Sequence, residues 1–395
     1  MWKTLRIADF GSVITGKTPS SNNLEHFGDD YPFITPTDMG TGRIVHTDRG
    51  ISQEGYLKLR RQILPRWSVC FVCIGATIGK ICLTTKKSLT NQQINSVVVD
   101  TTRHNPFFVY YLLSTYAEAV KSIAGGAATP IVNKTSFENI EVVVPLLPIQ
   151  HKIAAILSAY DDLIENNLRR IKILEEMAQN LYREWFVKFR FPGYQHTRFA
   201  DSPIGQILEG WEVVKVGVIL KKVKRGEKIQ QKDYAVVGLI PIIDQGKEFI
   251  GGYTDNKESL IFEDLPLIVF GDHTRVLKFI DFPFACGADG TQLLKSNDER
   301  MPMSLLYYAL SSINLSDFAY ARHFKFLKEE TLVLPEKSIA DHFDLFVSPL
   351  RNQTKALMKK NIILRRTRDL LLPRLISGEV DVSELDIPVP EKADE

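Results

Sequence analysis

VPLLPIQHKIAAILSAYDDLIENNLRRIKILEEMAQNLYREWFVKFRFPG, residues 144–193, decides the fold. Apolar residues recur through it at Leu157, Tyr160, Ile164, Ile171, Leu174, Ala178, Leu181 and Trp185. These are the a and d positions of one heptad frame, with Asn167 as a polar interruption. A stripe of that period predicts one long helix whose apolar seam faces another helix. Phe191-Pro192-Gly193 ends it, because proline and glycine stop a helix.

Working outward, a second such segment closes the chain. Leu350, Leu357, Leu364 and Leu371 sit seven apart, and Val347 and Leu375 fit the companion position. Thr354, Asn361 and Arg368 break that companion position, and Pro373 lies near the end. Two helices in one chain, separated by a globular stretch, close most simply as an antiparallel coiled coil. The polar seam positions then fix register at some cost in stability. The plainer alternative is that each helix packs only on its own domain.

The stretches before the two helices repeat one order of elements, and repeats decide architecture. Trp2 opens WKTLRI and Trp211 opens WEVVKV. VCFVCIG ending at Gly75 matches PLIVFG ending at Gly271. NPFFVYYLLST from Asn105 matches MPMSLLYYALSS from Met301, and VVVP ending at Pro145 matches LVLP ending at Pro335. Short β-type runs among many turn residues make both halves strand-rich. The expected fold class is α/β (α+β): two strand-rich globular domains joined by two long antiparallel coiled-coil helices, an internal pseudo-twofold duplication. The expected boundaries are domain 1 over 1–147, first helix 148–190, linker 191–210, domain 2 over 211–335, second helix 336–378 and an acidic tail 379–395.

Composition bounds function less tightly. The chain has 395 residues and a net charge of only +2, so charge alone does not announce a nucleic-acid binder. No uncharged apolar run of about 18 residues suggests a membrane span, and MWKTLRIADFGS does not read as a secretion signal. Four cysteines, Cys70, Cys73, Cys82 and Cys286, include one lone CxxC without a matching Cys/His pair. Buried thiols in a reduced cytoplasm, rather than a metal site, are the expectation.

Several motifs tempt. Gly11-Ser-Val-Ile-Thr-Gly16-Lys17-Thr18 matches the P-loop pattern to the letter. A P-loop needs a strand before it and a helix after it. Here Pro19 and a run of serine and asparagine follow, and the second half has lost the pattern. Asn105-Pro-Phe-Phe is a poor match to an adenine-methyltransferase tetrapeptide. Asp272-His273 lacks a third partner for acid–base or metal work. No catalytic residues are expected. A P-loop nucleotide-binding protein and a coiled-coil scaffold without a DNA role are the alternatives.

The remaining polar clusters suit DNA. Lys221, Lys222, Lys224, Arg225, Lys228 and Lys232 crowd into twelve residues, a density that neutralises phosphates. Arg322-His323-Phe324-Lys325 mixes bases with an aromatic ring. Asn91, Gln92 and Gln93, followed by Asn95, supply amides of the kind that pair with adenine edges. Amides in a turn equally cap backbone groups. Arg43, Lys80, Lys134, His273 and Arg275 complete the DNA-contact candidates. Helix-pairing or partner-docking candidates are Leu157, Ile164, Ile171, Leu174, Leu181, Trp185, Leu350, Leu357, Leu364 and Leu371.

GKTPS, YPFITPTDM, GATIGK with TNQQIN, the stretch quoted first, VFGDHTRVLKFIDFPFACGADG and LRRTRDLLLPRLISGEVD carry a resemblance. They resemble the specificity subunits of type I restriction-modification systems, over nearly the whole chain. The resemblance implies a non-catalytic subunit with two target-recognition domains, each reading half of a bipartite site in double-stranded DNA. It implies that the helices set the spacing between half-sites and dock two methyltransferase subunits, with two restriction subunits completing the complex. S-adenosylmethionine, ATP and magnesium then belong to those partners, and this chain has no cofactor or metal of its own. Unlike halves imply an asymmetric target.

Overall fold

A computed structural model describes residues 2–20, 22–40, 42–44, 46–123, 130–316 and 322–389. The chain divides into two compact units, residues 1–168 with 359–395, and residues 169–358. Each unit therefore contains one globular domain and a stretch of both long helices.

In the first unit, Trp2–Arg6 pairs antiparallel with Glu141–Pro145. A five-stranded sheet runs in the order Gly11–Thr15, Ile94–Val99, Val69–Val72, Ile81–Thr84, Gly42–Ile44. Its central strand, Val69–Val72, is wholly buried, which is why it reads as a continuous apolar run rather than an alternating one. The helix Pro106–Thr115 covers the sheet. Asn105 caps it, accepting from the Phe108 amide at 3.0 Å, and Pro106 occupies the first turn, where no donor is needed.

The second unit repeats this order. Glu212–Lys215 pairs antiparallel with Thr331–Leu334, and Leu267–Gly271 is the buried centre of a three-stranded sheet. The helix Met303–Ser311 answers Pro106–Thr115. Each of these helices carries a tyrosine pair in edge contact, Tyr110–Tyr111 at 5.0 Å and Tyr307–Tyr308 at 5.1 Å. A four-stranded sheet, in the order Gly252–Thr254, Ile240–Ile243, Phe284–Cys286, Leu260–Ile261, completes the unit.

The long helices span Leu147–Tyr182 and Lys337–Ile376. The first continues into a π-helical turn, Arg183–Val187, that turns Trp185 and Phe186 into the core of the second unit. The second passes through Pro349 as well as Pro373. Within the first unit Leu157 shares a core with Leu375, Asp161 pairs with Arg368, and Asn167 donates to Asn361 at 2.8 Å. Rising numbers on one helix meet falling numbers on the other, so the pairing is antiparallel. The helices also meet within the second unit, where Tyr182, Trp185 and Phe186 surround Phe343. Asn167 and Asn361 are 4% and 5% exposed, so two of the polar interruptions face each other in the seam. A slip of register would bury each amide against carbon, which gives the pair a register-fixing role. Of the predicted seam residues, Leu157, Ile164, Ile171, Leu357 and Trp185 are buried, whereas Leu174, Leu181, Leu350, Leu364 and Leu371 are only half-buried.

Two boundaries are corrected. The expected linker 191–210 contains the hairpin Phe199–Ser202/Gly205–Leu208, and Phe191, Ile207 and Leu208 pack with Trp211. Three large apolar residues anchor this segment to the core, while most of it stays exposed. The expected tail is packed as far as it is described: Val382 is 1% exposed in the first unit's core, and Lys152 Nζ donates to the Ser383 carbonyl at 2.6 Å. Residues 390–395 lie outside the described residues. Among the described residues no helix is long and apolar enough to cross a membrane.

His104 gives this fold a pH dependence. It is 2% exposed, set edge-on to Phe10, and bonded through Nδ1 to Gln150 at 3.3 Å. Burial, reinforced by Arg103 and Lys3, depresses its pKa below the ordinary histidine value. The unfolded chain therefore takes up this proton first as pH falls. Stability is unaffected above the unfolded value near 6.5 and declines as pH drops below it. A lower urea midpoint at pH 5 than at pH 7.5, with a smaller difference in His104→Gln, is expected. Equal differences in the two proteins would exclude His104 as a source.

Candidate nucleic-acid interface

The P-loop look-alike is the edge of a sheet. Gly11–Thr15 is a strand, but no helix follows. The Gly16 amide donates to the Ile94 carbonyl at 3.0 Å, and the Lys17 amide donates to the Thr90 carbonyl at 2.9 Å. A Cβ on Gly16 would lie 2.2 Å from the Asn91 carbonyl oxygen, so glycine is required by backbone approach, not by a phosphate. Thr18 Oγ1 donates to Gln92 Oε1 at 2.7 Å. GKTPS and TNQQIN are thus one paired-loop structure.

That pairing sorts the amide candidates. Asn91 Oδ1 accepts from the Gln93 amide at 3.1 Å and its Nδ2 donates to Gln93 Oε1 at 2.9 Å, an Asx turn closed on itself. Asn95 is buried and accepts from Thr15. Gln92 alone of the four is exposed, beside exposed Lys17. Arg43 is likewise committed internally. Its guanidinium pairs with Asp162 at 2.5 Å and Glu165 at 3.7 Å and lies over Phe107. Lys80 Nζ donates to the Pro36 carbonyl at 2.8 Å, and Lys134 pairs with Glu138 one turn along its helix.

The first unit's strongest basic patch was missed by the sequence reading. Lys58, Arg60, Arg61 and Arg66 are exposed, and so are Lys86 and Lys87. A bridge between Leu64 and Ser88, with amide–carbonyl bonds of 2.9 and 3.0 Å, brings the two groups side by side. None of the six makes an ion pair among the described residues, and apart from Arg66, whose guanidinium lies 4.5 Å from the Trp67 ring centroid, no ring contact engages them, as phosphate contact requires. The signal was visible as KLRRQILPR, residues 58–66, but Lys86 and Lys87, a third of the patch, are brought in by the Leu64–Ser88 bridge.

In the second unit Lys222, Lys224, Arg225, Lys228 and Lys232 are all exposed. Lys221 pairs with Asp264 at 3.0 Å, and Arg225 donates to Gln292 at 2.8 Å. Another cluster is assembled by a buried aspartate. Asp272 Oδ1 accepts from the Phe324 amide at 2.8 Å, and the Asp272 carbonyl accepts from the His323 amide at 2.9 Å. This pins the start of the helix His323–Glu329 against the turn 272–275. Exposed His273, Arg322 and Lys325 are thereby gathered with Arg275, whose Nη1 donates to the Leu315 carbonyl at 3.1 Å, while His323 itself is buried, its Nδ1 2.9 Å from the Asp272 carbonyl. His323 is therefore a positioning residue and not a contact candidate. Half of the basic run from Arg351 to Arg374 is engaged within the protein, while Lys359, Lys360, Arg365 and Arg366 are exposed. Arg351 lies over Phe279, Lys355 pairs with Asp281, Arg368 with Asp161 and Arg374 with Glu379.

The thiols do not suit nucleophilic chemistry. Burial raises Cys73 and Cys286 to about 11, and a hydrogen bond with Cys70 followed by burial raises Cys82. Asp272, the tempting base, is occupied as a helix cap. Among the described residues Glu25, His26 and Glu54 have ligand atoms within 4.8 Å of one another. What the geometry offers on each unit is exposed cationic surface with a few amide and imidazole donors.

Comparison with known proteins places this geometry. Residues 1–176 match the family described as type I restriction modification DNA specificity domain. The chain is 27% identical over 411 aligned residues to the type I restriction enzyme MjaIX specificity subunit of Methanocaldococcus jannaschii, covering 97% of this chain and 94% of that protein. It is 34% identical over 181 residues to the HindI specificity subunit of Haemophilus influenzae, covering 44% of this chain and 39% of that one. A crystal structure of a type I restriction-modification S subunit from M. genitalium shares the fold, with TM-score 0.57 and 16% identity over 95% of this chain and 96% of that one.

Proposed function

We propose that the chain is a type I restriction-modification specificity subunit, a reading supported by the match of residues 1–176 and the likeness along nearly its whole length, and that its parts divide the work of DNA sequence recognition. Each globular domain reads one half of a bipartite target. The halves share an order of elements but few residues, so the half-sites differ and the target is asymmetric. The first domain contacts phosphates through Lys58, Arg60, Arg61, Arg66, Lys86 and Lys87 and reaches bases from Lys17 and Gln92. The second uses the Lys222–Lys232 run together with His273, Arg275, Arg322 and Lys325. The two long helices set the half-site spacing and carry the partner subunits.

Support for docking comes from apolar side chains left outside the seam. Leu163, Leu168, Ile363 and Leu370 on the first unit are 46–65% exposed, and Ile173, Met177, Leu345 and Phe346 on the second are 49–69% exposed. Apolar surface on a helix already paired on its other face marks a protein interface. Two methyltransferase subunits occupy these faces, and two restriction subunits complete a cytoplasmic assembly. The chain itself is non-catalytic. S-adenosylmethionine, ATP and magnesium belong to the partners.

The observation that carries this reading is the near full-length likeness to one specificity subunit, combined with unpaired cations on both domains. Co-expression with the neighbouring methyltransferase in a methylation-free host, followed by single-molecule methylome sequencing, tests it. One new asymmetric, bipartite adenine-methylated motif, absent without this chain, is expected. Co-purification without any new motif would overturn DNA recognition, and a palindromic motif would overturn the division between unlike halves.

A further inference from the structure

Val236, Val237 and Leu239 are 92%, 75% and 81% exposed, three large apolar side chains within four residues. Their position is built, not frayed. Ala235 and Tyr253 exchange backbone hydrogen bonds of 2.9 Å in each direction, while Pro241 faces Tyr253 from the neighbouring strand. The chain therefore crosses the strand Gly252–Thr254 from one edge to the other in residues 236–239. Gly238 lies against the crossed strand, where an added Cβ would sit 2.9 Å from Tyr253 Cβ. The Leu239 amide donates to Asp255 Oδ1 at 2.8 Å. Glycine lets the strap sit down on the sheet, and the other three side chains project from it.

We propose that this strap is a base-reading element that packs Val236, Val237 and Leu239 against thymine methyl groups in the half-site read by the second domain. The inference rests on the DNA reading above and assigns the residues that discriminate. Charge complementarity selects the occupant. The strap lies three residues after a segment, residues 221–232, with six lysines and arginines against one acidic residue, and Asp233 is the one acid between them. That segment bridges to the same four-stranded sheet through Ile229 and Gly287. A polyanion held by those cations meets apolar side chains next. Aliphatic side chains make no hydrogen bonds, and the major-groove feature they distinguish is the thymine C5 methyl. Valine is short and stiff at χ1, which suits contact with a methyl better than insertion between bases.

The test uses the complex with its methyltransferase and the duplex whose motif methylome sequencing identifies. Duplexes carrying deoxyuridine in place of thymidine in the second half-site lack only the methyl groups. Affinity is expected to fall about fourfold per contacted methyl, the effect of burying about one CH2 group. In the triple variant Val236→Ser, Val237→Ser, Leu239→Ser, affinity for the thymidine duplex falls and the difference between the two duplexes disappears. Its salt dependence stays the same, because the phosphate contacts remain. Equal affinity of the unaltered complex for both duplexes, or a second half-site without an A·T pair, would overturn the proposal while leaving DNA recognition standing. Loss of co-purification in the triple variant would show that the strap docks protein instead. No methylated motif with the unaltered chain would overturn DNA recognition and the strap together.

Discussion

Phe343→Ala is expected to lower the thermal midpoint of the second unit by about 10 °C. Phe343 is fully buried and lies among Tyr182, Trp185, Phe186 and Tyr308, with ring centroids 5.1 to 6.5 Å away. It ties both long helices to the domain in that unit. Truncation removes the ring's transfer free energy and leaves a cavity among rigid aromatic neighbours that cannot close it, a loss of about 3–5 kcal/mol. Each kcal/mol moves the midpoint of a domain of this size by roughly 2–4 °C. Leu345→Ala is the control, because Leu345 is 69% exposed two residues along the same helix. Calorimetry in which both variants shift equally would show that Phe343 is not the keystone of that core.

The second large effect concerns the first unit. Arg368 pairs with Asp161 and with Asp369 at 2.8 Å, while Tyr111 donates its hydroxyl to Asp161 at 2.5 Å. Burial works against the Arg368 charge, yet the two aspartates hold its pKa above the ordinary arginine value. Burial and then Asp161 hold the Tyr111 hydroxyl protonated well beyond the usual tyrosine range. Arg368→Ala leaves the Asp161 carboxylate with a phenol and no cation. Breaking a buried pair from one side costs about 3–5 kcal/mol. A neighbouring cavity of about 210 Å3, lined in part by Phe107, Tyr110 and Arg365, admits water and moderates this. A loss of about 2–3 kcal/mol by urea unfolding is therefore expected, after discounting that range for residual solvation. The double variant Asp161→Asn, Arg368→Ala should recover part of it, since no buried charge is then stranded. Additive losses in that double-mutant cycle would rule out the coupling.

Much of this architecture was legible in the sequence because it rests on local periodicity. Leu157, Ile164, Ile171 and Trp185 lie in the seam as their spacing requires, and the tryptophan-led strands of both halves pair with the strands ending in VVVP and LVLP. Asn167 was visible as an interruption, and only pairing revealed Asn361 as its partner. Site residues were far less legible. Arg43, Asn91 and His323 have the right chemistry for DNA, but whether a polar side chain faces solvent or a neighbour depends on the partner the fold brings to it, distant in sequence for Arg43 and His323 and two residues on for Asn91. For these three the partners are Asp162, Gln93 and the Asp272 carbonyl.

By itself, then, the sequence determined two helices of heptad period, a duplicated order of strands and helices, and a resemblance to one family. Each is written in residues close together along the chain, where backbone geometry imposes the period. The tertiary structure decided which cations remain outside, that Phe191, Ile207 and Leu208 anchor the stretch 191–210 to the core, and that Val236, Val237 and Leu239 stand on a sheet. Those outcomes depend on strand pairings between distant residues, Leu64 with Ser88 and Ala235 with Tyr253, and no local pattern specifies what a strand will find beside it.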